Sequence, residues 1–272
     1  MAKNPLGEQS TYPDHYDAEL LYAIPRLASR SLLDIDRKIQ LHGFDLWRAY
    51  ELSWLEAGGK PKAAMAELVF DARAENLVES KSLKLYLNSL NNEVFTSAEQ
   101  VGKRIADDLE KVTCSRVRVS VLPLGDSALA RIQVPPGKCI DELEVPVTTC
   151  QPDAGLLQRG TGRTEHSALY SNLFRSNCPV TGQPDWATVT VRYSGPAIDE
   201  KALLAYLCSF RRHAGYHEEC AELIYRDLML HCEPEMLVVG MNFNRRGGLD
   251  INPFRSNRPI SPAQLNYRFV RQ

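Results

Sequence analysis

Apolar and polar positions change their spacing in a regular order along the chain. Phe44-Asp45-Leu46-Trp47-Arg48-Ala49-Tyr50-Glu51-Leu52-Ser53-Trp54-Leu55 partly alternates and is rich in aromatic residues, which predicts a strand. Gly58-Gly59-Lys60-Pro61 reads as a turn and Met65 to Ala72 as a second strand. After Asn76–Lys81 the period lengthens, and Leu83, Tyr86, Leu87 and Leu90 fall on one helical face. Thr96-Ser97-Ala98-Glu99 reads as a capping box for a second helix, whose stripe is Ala98, Val101, Ile105, Leu109 and Val112. Arg116 to Val121 alternates as a strand.

The order then returns. His166 to Phe174 and Ala187 to Tyr193 predict strands, separated by a Pro- and Gly-containing loop. Asp199 caps a helix carrying Leu203, Leu207 and Phe210, and a further helix carries His217, Cys220, Ile224 and Leu228. Met236 to Val239 is a strand, and Gly248 to Pro253 begins the last one. The pattern predicts an α+β fold made of two copies of one unit, each an antiparallel sheet with a pair of helices on one face. The expected division is an arm over 1–34, a first unit over 35–135, a connector over 136–163 and a second unit over 164–272. The arm reads as partly extended, because Pro25 stops regular pairing. The connector takes in Pro135-Pro136-Gly137, Val145-Pro146 and a loose Gly160-Thr161-Gly162.

Composition narrows the function classes. A net charge of -2, from 32 basic and 34 acidic residues, gives no electrostatic case for nucleic acid. No apolar run approaches the ~18 residues a membrane helix needs, and MAKNPLGEQS is no signal peptide. The expected compartment is the cytoplasm, with no membrane partner. The seven cysteines are an odd set without a Cys-x-x-Cys pair, which argues for reduced thiols and against a structural zinc site. Cys208, Cys220 and Cys232 fall on predicted helices and read as buried small hydrophobes. Cys178 alone falls in a loop suited to exposure.

That loop, Ser176-Asn177-Cys178-Pro179-Val180-Thr181-Gly182-Gln183-Pro184-Asp185-Trp186, is the first candidate for chemistry. Pro179 biases Cys178 toward extended backbone, and Thr181 to Pro184 reads as a tight turn. A thiol held near a carboxyl suits a nucleophile beside a proton donor. An ordinary turn with a half-buried cysteine accounts for the same residues. The dinucleotide fingerprint and the Walker A loop are both absent, so a nucleotide would need another cradle. Lys81 and Arg245-Arg246-Gly247-Gly248 offer phosphate donors and close backbone approach, as would many solvated turns. His213-Ala214-Gly215-Tyr216-His217-Glu218-Glu219-Cys220 lacks the spacing of a zinc helix. Glu218 there could serve the helix dipole and His217 the core.

Taken together, these residues resemble the bimodular, long type of the NADPH-dependent 7-cyano-7-deazaguanine reductases, the QueF family of queuosine biosynthesis. Val78-Glu79-Ser80-Lys81-Ser82-Leu83-Lys84-Leu85-Tyr86 looks like the family's signature motif. Cys178 to Asp185, His217-Glu218 and Arg246 to Pro253 carry the rest of the resemblance, which runs from about Leu6 to Gln272. It implies tandem tunnelling-fold (T-fold) units and subunits that pair into a homodimer. It implies Cys178 as nucleophile and Asp185 as proton donor. It implies that Val78, Glu79, Ser80, His217 and Glu218 line the base pocket, and that Ser80, Lys81, Arg246 and Gly247 contact NADPH. The reaction implied is the four-electron reduction of the nitrile of 7-cyano-7-deazaguanine to an aminomethyl group through a thioimide on Cys178. A free thiol ionises near pH 8.5 and needs a neighbouring base, which fits a Cys/Asp pair. Two other classes compete: a zinc-dependent hydrolase resembling GTP cyclohydrolase, and a non-catalytic purine- or pterin-binding module. The first lacks a third ligand at metal spacing, and the second leaves the Cys178/Asp185 pair unexplained.

Overall fold

A computed structural model describes residues 12–32, 40–126 and 131–272. Residues 1–11 and 33–34 of the expected arm lie outside the described residues. The chain is α+β, and its contacts divide it into two compact units that are not continuous in sequence. The first takes residues 1–29, 45–131 and 245–251, and the second takes 30–44, 132–244 and 252–272.

The first elements in the chain are strand β1 (Ala23–Pro25), helix α1 (Arg26–Leu32) and the strands β2 (His42–Leu55) and β3 (Pro61–Asp71). They are followed by β4 (Asn76–Val78), helices α2 (Ser80–Ser89) and α3 (Ala98–Thr113), and β5 (Val117–Pro123). In the first unit β3 lies between β2 and β5, and pairs antiparallel with β5 from Ala64↔Pro123 to Phe70↔Val117. Leu52, Trp54, Ala66 and Leu68 of these strands and Leu83, Tyr86, Leu87, Val101, Ile105 and Leu109 of the helices share one buried cluster. The helical stripe in the sequence is therefore the stripe that packs.

β1 ends at Pro25, where the sequence suggests that regular pairing stops. β1 runs antiparallel to β4 with Pro25 opposite Asn76, and the chain turns directly into α1. Proline is tolerated on so short an edge because no further ladder bond depends on its missing N–H. The capping box before α3 is displaced by one residue. Ser97 is the cap and accepts from Gln100 N, while Gln100 Oε1 reaches back to the N–H of Thr96. Gln100, not Glu99, is thus the third helical residue.

Strands β6 (Lys138–Cys139), β7 (Arg159–Asn177) and β8 (Pro184–Ile198) come next. Helices α4 (Glu200–Cys208) and α5 (His217–His231) and strands β9 (Met236–Phe243) and β10 (Leu249–Ser256) complete the main elements. In the second unit the order is β10-β9-β8-β7-β6, antiparallel except for the short parallel contact of β6 with β7. Val189, Val191, Leu203, Leu207, Cys220, Ile224, Leu228, Val239 and Met241 share its core. The connector is more regular than expected. It contains β6 and the first part of β7, so Gly160-Thr161-Gly162 lies in a strand and not in a linker. Irregular register between Arg159 and Ser167 accommodates these glycines, which explains why no clean alternation shows there. Phe210 falls just beyond α4, in a tight 3-10 turn at Ser209–Arg212.

Candidate active site

The β7–β8 hairpin decides where the loop cysteine goes. Ser176 pairs with Asp185 and Asn177 with Pro184, and the loop closes when Cys178 N–H donates to Gln183 O at 2.8 Å. Gly182 N–H donates back to Cys178 O at 3.0 Å, with Gly182 at φ +68°, a conformation glycine adopts freely. Opposed residues share a face and successive residues alternate. Asp185 therefore shares a face with Ser176, and Cys178, two residues on, shares it too. Such diagonal neighbours lie about 7–8 Å apart at the backbone. The sequence expectation of an exposed thiol is corrected: Cys178 is only 4% exposed, although the turn residues 179–184 beyond it are exposed. Among the cysteines, Cys114 and Cys139 are the exposed ones.

The second sequence cluster is carried to this hairpin by a short backbone bridge. Asn177 N–H donates to His213 O at 2.8 Å, and Gly215 N–H donates to Asn177 O at 3.2 Å. Two residues later α5 begins, and Glu219 accepts from the N–H of Tyr216 at 3.0 Å to close its first turn. Glu218 and Glu219 both stand in this first turn, and Glu219 makes the capping bond. Glu218 itself is 4% exposed on that first turn. His217 Nε2 lies 3.4 Å from Asp185 Oδ2, and its ring stacks on Phe243 at 3.7 Å and 9°. Phe243 pairs with Ala187, two residues beyond Asp185, so ring and carboxylate rise from one face. His217 Nδ1 is buried without a hydrogen-bond partner among the described residues. His213, farther along the same bridge, is held below the usual histidine range by burial.

The other buried thiols are poor nucleophiles. Burial pushes Cys232 up to about 11 and raises Cys208 and Cys220 as well. Among the described residues no group of three His, Cys, Asp or Glu side chains is arranged to hold a metal ion.

The remaining candidates lie in the first unit. Val78 ends β4 opposite Ala23, and Glu79 N–H donates to Tyr22 O at 2.9 Å. The Glu79 carboxylate caps α2, accepting from Lys81 N at 2.8 Å and Ser82 N at 2.7 Å, and is 1% exposed. Ser80 and Lys81 open the helix. Arg246 and Leu249 exchange backbone bonds of 2.8 and 3.2 Å around Gly247 and Gly248, at φ +60° and +79°. Two consecutive positive φ angles match the type I′ hairpin turn, which explains the glycine pair. Lys84, one turn beyond Ser80 and Lys81, lies beside Gly247 and pairs with Glu51 at 3.4 Å. It helps to line a pocket of about 160 Å³ with Ala49, Asn88 and Gly248.

The structure thus brings Cys178, Asp185, His217 and Glu218 together in one unit and places Val78 to Lys81, Arg246 and Gly247 in the other. Two neighbours were not assigned from the sequence. Lys84 stood in the quoted helix motif at helical spacing from Lys81, so its signal was present. Phe243 had none, since the end of an apolar strand looks the same whether or not it carries a site.

Comparison with known proteins gives a consistent kinship. Residues 12–121 match a family model described as nitrile reductase, 7-cyano-7-deazaguanine-reductase N-term, and residues 184–261 match one described as QueF-like protein. Cys178 lies between the two matched regions. The chain is 45% identical over 270 residues to the NADPH-dependent 7-cyano-7-deazaguanine reductase of Desulfotalea psychrophila, covering 98% of this chain and 97% of the relative. It is 46% identical to the protein of the same name from Dechloromonas aromatica, over 99% and 95%. Against that of Bordetella pertussis it is 44% identical, over 100% and 99%.

Proposed function

The chain belongs to the NADPH-dependent 7-cyano-7-deazaguanine reductases, and from that membership we propose that it reduces the nitrile of 7-cyano-7-deazaguanine through a covalent thioimide on Cys178. The observation that carries the mechanism is the Asp185 carboxylate, 3.4 Å from His217 Nε2 and on the same strand face as Cys178. A nitrile carbon is a poor hydride acceptor. Addition of the Cys178 sulfur forms a C–S bond and leaves a C=N group, with no leaving group to expel. The thiol proton passes to Asp185 and on to the nitrile nitrogen, so the adduct is neutral. His217 beside Asp185 extends the acid–base pair, and Phe243 fixes the plane of its ring. Buried Glu218 accepts the N–H and amino group of the guanine-like edge as a bidentate partner. Val78, Glu79 and Ser80 also bind the base in this reading, with Glu79 fixing the backbone of that segment from the α2 cap.

The first unit fits an anionic cofactor. Lys84 and the turn at Gly247 and Gly248, where backbone carries no Cβ, line its pocket beside the Glu51 carboxylate. Arg246 and Lys81 add cations nearby in sequence. Ser80, Lys81, Arg246 and Gly247 would hold NADPH, which when bound supplies hydride, twice for each nitrile reduced. Each unit is read as a T-fold, and subunits pair as a homodimer. The aminomethyl product belongs to queuosine biosynthesis, a tRNA modification, in the cytoplasm. NADPH oxidation followed at 340 nm should require 7-cyano-7-deazaguanine and consume two NADPH per nitrile. Oxidation that ignores the nitrile, or none at all, overturns the reading.

A further inference from the structure

The segment after the last short helix makes contacts that the proposed reaction does not use. Arg271 Nη2 donates to Asn172 O at 2.6 Å and to Ala187 O at 3.4 Å. Gln272, 8% exposed, uses both ends of its amide. Its Oε1 accepts from Asn242 Nδ2 and from Phe269 N, each at 3.1 Å. Its Nε2 donates to Asn252 Oδ1 at 2.5 Å and to Phe243 O at 3.3 Å. A buried primary amide with every group engaged is held in one orientation, because losing any partner strands a polar atom away from water.

The two carbonyls that this segment holds are not arbitrary. Ala187 and Phe243 are opposed partners at the end of the β8–β9 ladder. Ala187 stands two residues beyond Asp185, and Phe243 carries the ring on which His217 lies. Adjacent side chains thus grip the two strand ends from which the acid–base pair is built. His217 Nδ1 has no hydrogen-bond partner among the described residues. We propose that Arg271 and Gln272 are positioning residues, a clasp on the Ala187–Phe243 pair that sets the plane of Phe243 and with it the distance from His217 to Asp185. The consequence for the reaction rests on the reductase reading, but the geometric claim does not.

Gln272→Glu tests it, because the carboxylate keeps the acceptor for Asn242 and Phe269 and removes the donor to Phe243 and Asn252. Arg271→Ala is the second variant, with Arg271→Lys as conservative rescue, should a buried carboxylate prevent folding. Two readouts are taken at a temperature where melting curves show each variant folded. The first is the ring-proton NMR shift of His217, assigned with His217→Asn, since stacking on Phe243 imposes a ring-current displacement. The second is the rate of mass gain on Cys178 with 7-cyano-7-deazaguanine and no NADPH. The expected result is a moved His217 resonance and an adduct rate lowered about tenfold or more, as small misplacements of reacting groups commonly cost. The KM for NADPH should stay at the wild-type value, and Arg271→Lys should recover most of the rate. Folded variants whose His217 resonances and adduct rates match wild type overturn the clasp, even if their melting temperatures fall. If the wild-type protein forms no adduct, the reductase mechanism fails, and an unmoved His217 resonance still overturns the clasp separately.

Discussion

The two helix pairs of this chain are built alike, and the proposed chemistry lies beside only one of them. In the first unit Tyr86 donates to Asp108 at 2.8 Å across the pair, and Ser89 Oγ donates to Tyr86 O at 2.6 Å. In the second, Tyr206 donates to Asp227 and Ser209 Oγ to Tyr206 O, both at 2.6 Å. Acidic caps, Glu79 and Asp199, open the first helix of each pair. Leu55 bridges Val94 in one unit as Asn177 bridges Ala214 in the other. Even the hairpin loops close in the same way, Glu56 N–H to Lys60 O in the first and Cys178 N–H to Gln183 O in the second. By these correspondences Cys178 stands where the first unit has Glu56, and His217-Glu218 stand where it has Ala98-Glu99. The scaffold is common to both units, so the proposed chemistry would come from a few exchanges at equivalent sites and from what buries them. Glu99 lies exposed on its helix, whereas Glu218 at the matching position is sealed.

The largest difference should separate the two loop-opening residues. Cys178→Ala should abolish both the mass gain with 7-cyano-7-deazaguanine and NADPH turnover while the base still binds, and Glu56→Ala should leave turnover within about twofold of wild type. A mass gain mapped to Cys208, Cys220 or Cys232 would erase the distinction between the loops. Next in size is Asp185→Asn, which keeps the side chain's shape but cannot relay a proton. Adduct formation should slow about 10²–10⁴-fold, the usual cost of a positioned acid–base group, with the melting curve nearly unchanged. A collapsed melting curve would instead make Asp185 a structural turn residue.

Glu218→Gln and Glu99→Gln form a sharper pair. Charge-assisted bonds are worth roughly 1.5–3 kcal/mol, so Glu218→Gln should weaken base binding about tenfold or more. Glu99→Gln should leave it unchanged, and calorimetry with the deazaguanine distinguishes the outcomes. The smallest functional effect is expected where the units are alike. Tyr206→Phe and Tyr86→Phe should each lower stability, by about 1–3 kcal/mol for a buried acceptor left short of a donor, without slowing adduct formation. Asp108 Oδ2 keeps Tyr16 at 2.7 Å when Tyr86 is lost, whereas Arg226 bonds Asp227 at Oδ1 and Tyr206 bonds it at Oδ2. Tyr86→Phe should therefore cost less than Tyr206→Phe in urea titrations.

The likeness of the units was legible because periodicity survives in the stripes. Leu83, Tyr86 and Leu87 recur as Leu203, Tyr206 and Leu207, and the strands between turns alternate as the burial requires. What escaped the sequence was context supplied by distant residues. Nothing near Cys178 says that the folded chain will bury it, and nothing near Pro25 says that Asn76 will pair with it. Phe243 was invisible for the same reason, since its role depends on His217 arriving from another helix. The tight turn between Cys178 and Asp185 was legible because proline and glycine restrict that loop so strongly. The glycines at 160–162 misled, since irregular strand and linker share a composition.

The register of the β7–β8 hairpin also governs which changes of length this protein can survive. Because Cys178 and Gln183 close the loop at its base, a residue added among Pro179 to Gly182 enlarges only the tip. The hairpin of the first unit, closed by residues 56 and 60, shows the same frame holding a shorter tip. One residue inserted between Gln183 and Asp185 is another matter. It would hand the carboxylate's face to a neighbour and turn the carboxylate toward the side now occupied by Trp186. Descent within this lineage should therefore permit insertions and deletions at the tip and purge them in the two positions before Asp185, although both changes alter the sequence by the same single residue.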